Sequence, residues 1–186
     1  MKYPILQSER LVLKVPTLAI AEAMTKLLQD EDVSKNLSRV PYPYHLENAQ
    51  KFITQTQDIF SKKNGESRFG IFLKEDDTFI GMCGLDISTD HNHGTLGYWL
   101  GKVYWGKGYA TEAARRLLVY GFETLNLHRI ACAHFHTNPA SGNVIKKLGL
   151  KHEGIRRAHF KKGNKYLDIY DYGMLRSEYD LESKRH

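Results

Sequence analysis

Residues 101–116 read GKVYWGKGYATEAARR, a glycine-rich turn that runs straight into a helical pattern. Such a turn presents backbone amides at a helix start, which is how proteins hold phosphate. Gly101, Gly106 and Lys107 have the spacing of a nucleotide P-loop. That loop needs Ser or Thr next, to hold Mg²⁺, and this chain has Gly108, with Thr111 too far on. The following apolar strand, RIACAHFH, ends without the carboxylate a P-loop protein uses for its metal. A dinucleotide fingerprint built on Gly106 and Gly108 needs a small residue where Thr111 stands, and a ribose-binding acid on the next strand. Neither is found. What remains is a turn that takes a pyrophosphate on main-chain amides, with Lys107 for charge and no metal required.

Working outward, a strand TLGYWLGKV leads into the turn. After it, Ala110, Ala113, Ala114, Leu117, Leu118, Gly121, Phe122 and Leu125 recur at helical spacing. HRIACAHFH reads as a strand. Asn138 and Pro139 open a helix as N-cap and first residue, with Val144, Ile145 and Leu148 on its apolar face and Gly149 at its end. The segment EGIRRAHFKKGNKYLDIYDYGMLRSEY is a hairpin turning at Gly163 and Asn164. Upstream, ERLVLKV is a strand, Thr17 to Gln29 an amphipathic helix, and RVPYPYH a loop fixed by Pro41 and Pro43. Leu46 to Lys62 is a helix with Ala49, Phe52, Ile53, Thr56, Ile59 and Phe60 on one face. RFGIFLKED and TFIGMCGLDIS are strands joined at Asp76 and Asp77. The order β-α-α-β-β-β-α-β-α-β-β predicts an α+β fold around a mixed sheet, not a doubly wound one.

The chain has 186 residues, enough for one domain over 1–186 with its own core. No apolar run approaches the roughly 18 residues of a membrane span, and the N-terminus lacks a signal-peptide pattern. Cys83 and Cys132 lie in apolar strand-like runs, as expected of reduced core residues in a cytoplasmic protein. The net charge of +6 favours an anionic partner without naming it. The basic pairs, such as Arg156-Arg157 and Lys161-Lys162, are short and read equally as solvated faces.

The residues Trp105-Gly106-Lys107-Gly108-Tyr109-Ala110 resemble the turn Gln/Arg-x-x-Gly-x-Gly/Ala of the GNAT N-acetyltransferase superfamily, which cradles the pyrophosphate of coenzyme A. Trp105 stands where that pattern has Gln or Arg. GYWLGKVYWGKGYATEA followed by NPASGNVIKKLGLKHEG resembles the branch of the Rim-type ribosomal-protein N-terminal acetyltransferases. The opening ERLVLKVPT and the closing GNKYLDIYDYGML resemble it too, so the likeness spans nearly the whole chain. Leu150 replaces a usual Phe. The resemblance implies a mostly antiparallel sheet of about seven strands flanked by about four helices, and acetyl-CoA as co-substrate. It implies that Tyr98, Trp99 and Leu100 pair with the pantetheine arm. Trp105 to Thr111 (Gly106, Lys107, Gly108, Tyr109, Ala110 between) then hold the pyrophosphate. Asn138 contacts the pantetheine, and Ser141 is placed near the sulfur.

The chemistry asks for more. A neutral amine attacks a thioester, an oxyanion forms and a thiolate leaves. The oxyanion needs a fixed donor, for which the backbone N–H at the end of the strand, at Leu100, is the candidate. Ser141 is the candidate acid for the thiolate. Deprotonating the amine at pH 7 costs about 1 kcal/mol for an α-amine and about 4–5 kcal/mol for lysine. His159 is the candidate base on the late strands, against an inert surface role. Glu112 reads as a first-turn acid suited to the helix dipole. Cys132, His134 and His136 share a strand face as a zinc set, or as packing; His134 can also face the acceptor. His91 and His93 read as loop. Tyr42, Tyr44 and His45 either cap an acceptor pocket or pack. The acceptor is an amine on a protein N-terminus or a small molecule. Nucleic acid is expected only through a ribosomal-protein substrate. A P-loop-like nucleotide binder and a basic nucleic-acid module using Arg156, Arg157, Lys161 and Lys162 are the alternatives. Oligomeric state is unread, with a homodimer open.

Overall fold

The computed structural model describes residues 3–62 and 66–183. Its centre is one sheet of eight strands: β1 (Leu6–Gln7), β2 (Leu11–Lys14), β3 (Glu66–Leu73), β4 (Phe79–Ser88), β5 (His93–Leu100), β6 (Arg129–Phe135), β7 (Lys151–Lys162) and β8 (Lys165–Leu175). They lie in the order β1-β2-β3-β4-β5-β6-β8-β7. Every neighbouring pair is antiparallel except β5 with β6, which is parallel. The expected mixed, mostly antiparallel α+β sheet is present. The two-residue β1 adds a strand that is too short to show a period of its own.

Six helices accompany the sheet among the described residues: α1 (Ala21–Leu28), α2 (Glu31–Ser34), α3 (Leu46–Lys62), α4 (Tyr109–Val119), α5 (Pro139–Lys147) and α6 (Arg176–Ser183). The four long amphipathic patterns account for α1, α3, α4 and α5. The single turn α2 and the polar α6 carry no apolar stripe that would announce them. The first turn of the expected Thr17–Gln29 helix is a 3-10 turn at Leu18–Ile20, a common tightening at helix starts. The expected run to Leu125 ends its α-helical part at Val119 and widens into a π turn at Tyr120–Thr124. There Gly121 abuts Ile130 and Leu85 so closely that a Cβ would reach within 2.7 Å of Ile130 Cδ1.

Two large cores form because the sheet is covered on both faces. On one face Ala113, Ala114, Leu117 and Leu118 of α4 and Ile145 of α5 pack on Phe69, Cys83, Leu85, Leu96 and Ile130. On the other, Met24, Leu28, Ala49 and Ile53 of α1 and α3 pack on Phe72, Phe79 and Met82. Cys83 and Cys132 are buried and free, and burial pushes both thiols well above the ordinary range. The helices α1 and α3 cover β3 and β4 and reach Trp99 of β5, whose ring meets Phe79 edge-on; beyond β5 this face carries a small cluster of Phe135, Leu167 and Ile169 with Phe160. Among the described residues no helix is long and apolar enough to cross a membrane.

Candidate active site

The parallel pairing of β5 with β6 is short. His93 to Leu96 face Arg129 to Cys132, and beyond that the strands part. Ala133 to Phe135 go on with β8, while Gly97 to Leu100 go on with β4 alone. The register says what the open edge offers. Gly101 N–H donates to Ile80 O at 3.0 Å, so bonding to β4 falls on the odd residues Gly97, Trp99 and Gly101. Antiparallel pairs alternate, which turns the main-chain groups of Tyr98 and Leu100 into the gap between β5 and β6. The Leu100 carbonyl is taken there by Trp105, whose indole N–H donates to it at 2.9 Å. The Leu100 N–H is thus the donor left at the strand end. Trp105 has replaced the expected Gln or Arg with a residue that folds the turn back onto β5.

The turn itself is made by positive φ. Gly106 has φ 75° and Gly108 φ 83°. A Cβ on Gly106 would meet nothing within 4 Å, so bare backbone lies open to a ligand there. Gly108 is the N-cap of α4 and supplies no side-chain cap, which leaves the first amides of the helix unsatisfied. These residues fit a pyrophosphate. Glu112 is engaged by other partners. Its carboxylate accepts from Ser8 Oγ (2.8 Å), Arg10 N (2.7 Å) and Arg10 Nε (2.7 Å), tying α4 to the β1–β2 turn. The first-turn structural reading of Glu112 describes it better than a catalytic one.

Across the gap stands α5. Asn138 caps it by accepting from Ser141 N at 3.2 Å. The Ser141 hydroxyl lies 2.9 Å from the Tyr98 phenol, which is also 3.2 Å from the Ser141 carbonyl oxygen. Tyr98, Leu100, Asn138, Ser141 and the turn from Trp105 to Thr111 therefore surround one gap. His159 does not join them. It is exposed on β7, with β6 and β8 between it and β5. Its Nε2 lies 2.8 Å from Arg156 Nη1; a guanidinium only donates, so the nitrogen's lone pair is already used. His159 thus does not line this gap; a single strand pattern does not reveal how far out in the sheet it lies.

Other histidines are held by contacts within the fold. His134 Nδ1 is bonded to Phe135 O at 2.8 Å, and its ring stacks on Tyr172 under α5, where Gly142 abuts it. His136 Nδ1 accepts from Asp168 N–H at 3.1 Å, and Cys132 is buried. His93 opens β5, with its ring stacked on His91. In the proline loop Tyr44 is buried against Met24, whereas Tyr42 and His45 are exposed.

Sequence reasoning missed the groove on the second sheet face. It holds about 550 Å³ and is lined by Thr95, Ala131, Ala133, Gly154 and Ile155. Two ion pairs border it. Arg156 grips Asp171 with both ends of its fork at 2.7 Å, and Arg129 holds Glu153 at 2.6 Å. Only register brings these residues together, so no local motif marks them. One more feature crosses the open end of the gap. Lys102, just after β5, pairs with Asp32 on α2 at 2.6 Å. From the β7–β8 hairpin, Lys162 donates to Ser34 O (2.8 Å) and Leu37 O (2.7 Å). The Lys102 and Lys35 ammonium groups hold the Asp32 carboxyl down at about 2.

Comparison with known proteins agrees with this geometry. A family profile described as an acetyltransferase (GNAT) domain matches residues 10–151. The N-acetyltransferase p20 of Bacillus licheniformis is 33% identical over 175 residues, covering 94% of this chain and 97% of that protein. A GNAT-family acetyltransferase from Bacillus anthracis superposes with a TM-score of 0.83 at 26% identity, over 94% of this chain and 100% of that one. RimL, a ribosomal L7/L12 α-N-protein acetyltransferase solved with coenzyme A, shares the fold with a TM-score of 0.83 at 17% identity, over 92% and 98% of the two chains. With a matching profile over most of its length, a relative along nearly all of it and the open β5 edge beside the glycine turn, the chain belongs to the GNAT family of acyl-CoA-dependent acetyltransferases.

Proposed function

We propose that this acetyltransferase moves the acetyl group of acetyl-CoA to a primary amine, on a protein N-terminus or a small molecule, by direct attack in a ternary complex. One observation carries the reading. The open edge of β5 at Tyr98 and Leu100 is followed, after one 3-10 turn at Lys102–Tyr104, by the amides of Gly106 to Thr111. A chain bearing amides and ending in a pyrophosphate matches that surface end to end, and RimL shares this fold with coenzyme A bound.

Acetyl-CoA supplies an activated acyl carbon and a thiol leaving group. The protein supplies the rest. The Leu100 N–H is the fixed donor for oxyanion charge, a contribution typically of about 3–4 kcal/mol. Asn138 spends its side-chain oxygen on the helix cap, so its role toward the pantetheine belongs to Nδ2. Ser141 offers a hydroxyl to the departing sulfur. The acceptor arrives from the groove on the other sheet face, where the paired Asp171 and Glu153 carboxylates keep lone pairs to accept hydrogen bonds from an amine. Both carboxylates are held by arginines, which favours binding over proton abstraction. With no strong base, the reading favours an amine that is cheap to deprotonate, such as an α-amine. Buried free thiols agree with a cytoplasmic setting.

Thermal unfolding tests the co-substrate. At about 100 times its Kd, acetyl-CoA should add about 2.7 kcal/mol, raising Tm by about 5–10 °C. ATP with Mg²⁺ should do far less; the reverse result would sink the reading. An acceptor screen with acetyl-CoA, following thiol release over N-terminal peptides, polyamines and aminoglycosides, then assigns the amine.

A further inference from the structure

We infer that Tyr98 is a positioning residue for the Ser141 hydroxyl: it decides whether the serine's proton is available to the leaving sulfur. The inference rests on the reading of Ser141 given above. The two residues are 43 positions apart, and only the fold joins them.

The phenol has one proton and two acceptors within reach, Ser141 Oγ at 2.9 Å and Ser141 O at 3.2 Å. Two arrangements follow. With the phenolic proton on the carbonyl, the serine hydroxyl donates back to Tyr98, and its own proton is occupied. With the phenolic proton on Oγ, the serine proton is free for another acceptor. Exchange between them needs only rotation of two hydroxyls; no bond to hydrogen is transferred. Negative charge growing on a nearby sulfur favours the second arrangement. A hydroxyl that accepts from Tyr98 is also a stronger donor, because bonds in a chain polarise one another.

Burial raises the phenol well above the ordinary tyrosine range, with proximity to Cys132 adding to the rise and the Ser141 bond opposing it. Tyr98 therefore keeps its proton through any working pH. Without the phenol, the Ser141 hydroxyl loses this partner and is free to turn to another acceptor, such as the carbonyl of the N-cap Asn138 three residues back.

The test uses the full chain with coenzyme A in its thiol form, so that no acceptor is needed. The ultraviolet absorbance of the bound thiolate is followed against pH. In Ser141→Ala the bound thiol should titrate about one pH unit higher than in the wild type, the size of one charge-assisted hydrogen bond. Tyr98→Phe, which removes a single oxygen, should raise it by a smaller amount. The double variant should match Ser141→Ala, because Tyr98 acts only through the serine. Ser141→Thr keeps the hydroxyl and should keep the sensitivity to Tyr98→Phe, which guards against a folding defect in the alanine variant. In turnover, Tyr98→Phe should lower kcat several-fold and leave KM for acetyl-CoA alone. If Ser141→Ala shifts the titration and Tyr98→Phe does not, the inference falls and the Ser141 reading stands. If neither shifts it, both fall. If the two shifts add in the double variant, Tyr98 acts on sulfur directly and the inference is overturned.

Discussion

Between Leu100 and Thr111 the protein shapes its surface almost wholly from main chain, whereas the groove on the far face is shaped by side chains from four strands. The turn depends on two glycines at positive φ, one indole bond and the free amides of α4. The groove depends on Thr95, Ala131 and Ala133 for room, and on Arg129–Glu153 and Arg156–Asp171 for charge. A surface made of backbone tolerates little change in sequence, because few residues adopt its dihedrals. A surface made of side chains can change its chemistry while the strands stay in place. One region suits a ligand that never varies, the other a ligand that does.

The largest effect should come at the turn. Gly108→Val puts a β-branched residue at φ 83°, with its Cβ 3.3 Å from Arg10 Nη2. Backbone strain of about 1–3 kcal/mol together with a displaced turn should weaken acetyl-CoA binding by roughly 100-fold, or about 2.7 kcal/mol, in titration calorimetry. Undiminished affinity in a folded variant would break the comparison at its stronger half.

The groove should answer differently. Asp171→Asn leaves the Arg156 fork without its counter-charge and removes one acidic wall. The expected result is an acceptor KM raised about tenfold, or 1.4 kcal/mol, with KM for acetyl-CoA unchanged in steady-state kinetics. A matching rise in KM for acetyl-CoA would show that the two regions are not separable.

The smallest effect sharpens the structural role of Glu112. Glu112→Gln should cost about 1–2 kcal/mol and lower Tm by a few degrees. Burial pulls the Glu112 carboxyl upward, but the Arg10 amide, the Ser8 hydroxyl and the Arg10 guanidinium together hold it below the ordinary value. A carboxylate depressed in the fold contributes stability fully above its unfolded value and loses it as pH falls through the folded one. The gap in Tm between wild type and variant should therefore close below about pH 4. A gap that persists in acid would mean the ionised form is not what matters.

The same contrast explains what was legible in the sequence. Glycines at 106 and 108, Pro139 after Asn138, and the Ala/Leu stripe of α4 are local signals, and they marked the turn, α5 and the strands between. Tyr98, Ser141 and Leu100 were nameable only through the resemblance to the acetyltransferase family that those signals carry. The Tyr98–Ser141 contact, the α2 bridges from Lys102 and Lys162, and the Asp171–Arg156 wall arise from sheet order and register, which no window of sequence holds. His159 shows the cost. A histidine on a late strand suits the pH range of a base, but only the strand order shows that β7 is the outermost strand of the sheet.

The parting of β5 and β6 leaves main-chain groups unpaired inside a sheet, not at its rim. At the rim, a bare strand edge invites another copy of the chain to extend the sheet, and proteins guard against it. Here the neighbouring strand stands close on the other side of the gap, and α2 crosses its end. An incoming polypeptide would need to thread its side chains between two strands already held by β4 and β8. A slender, unbranched arm with spaced amides meets no such obstacle. The split sheet thus has the geometry of a sieve: it shields an edge that is sticky by nature while leaving room for a molecule of narrow cross-section.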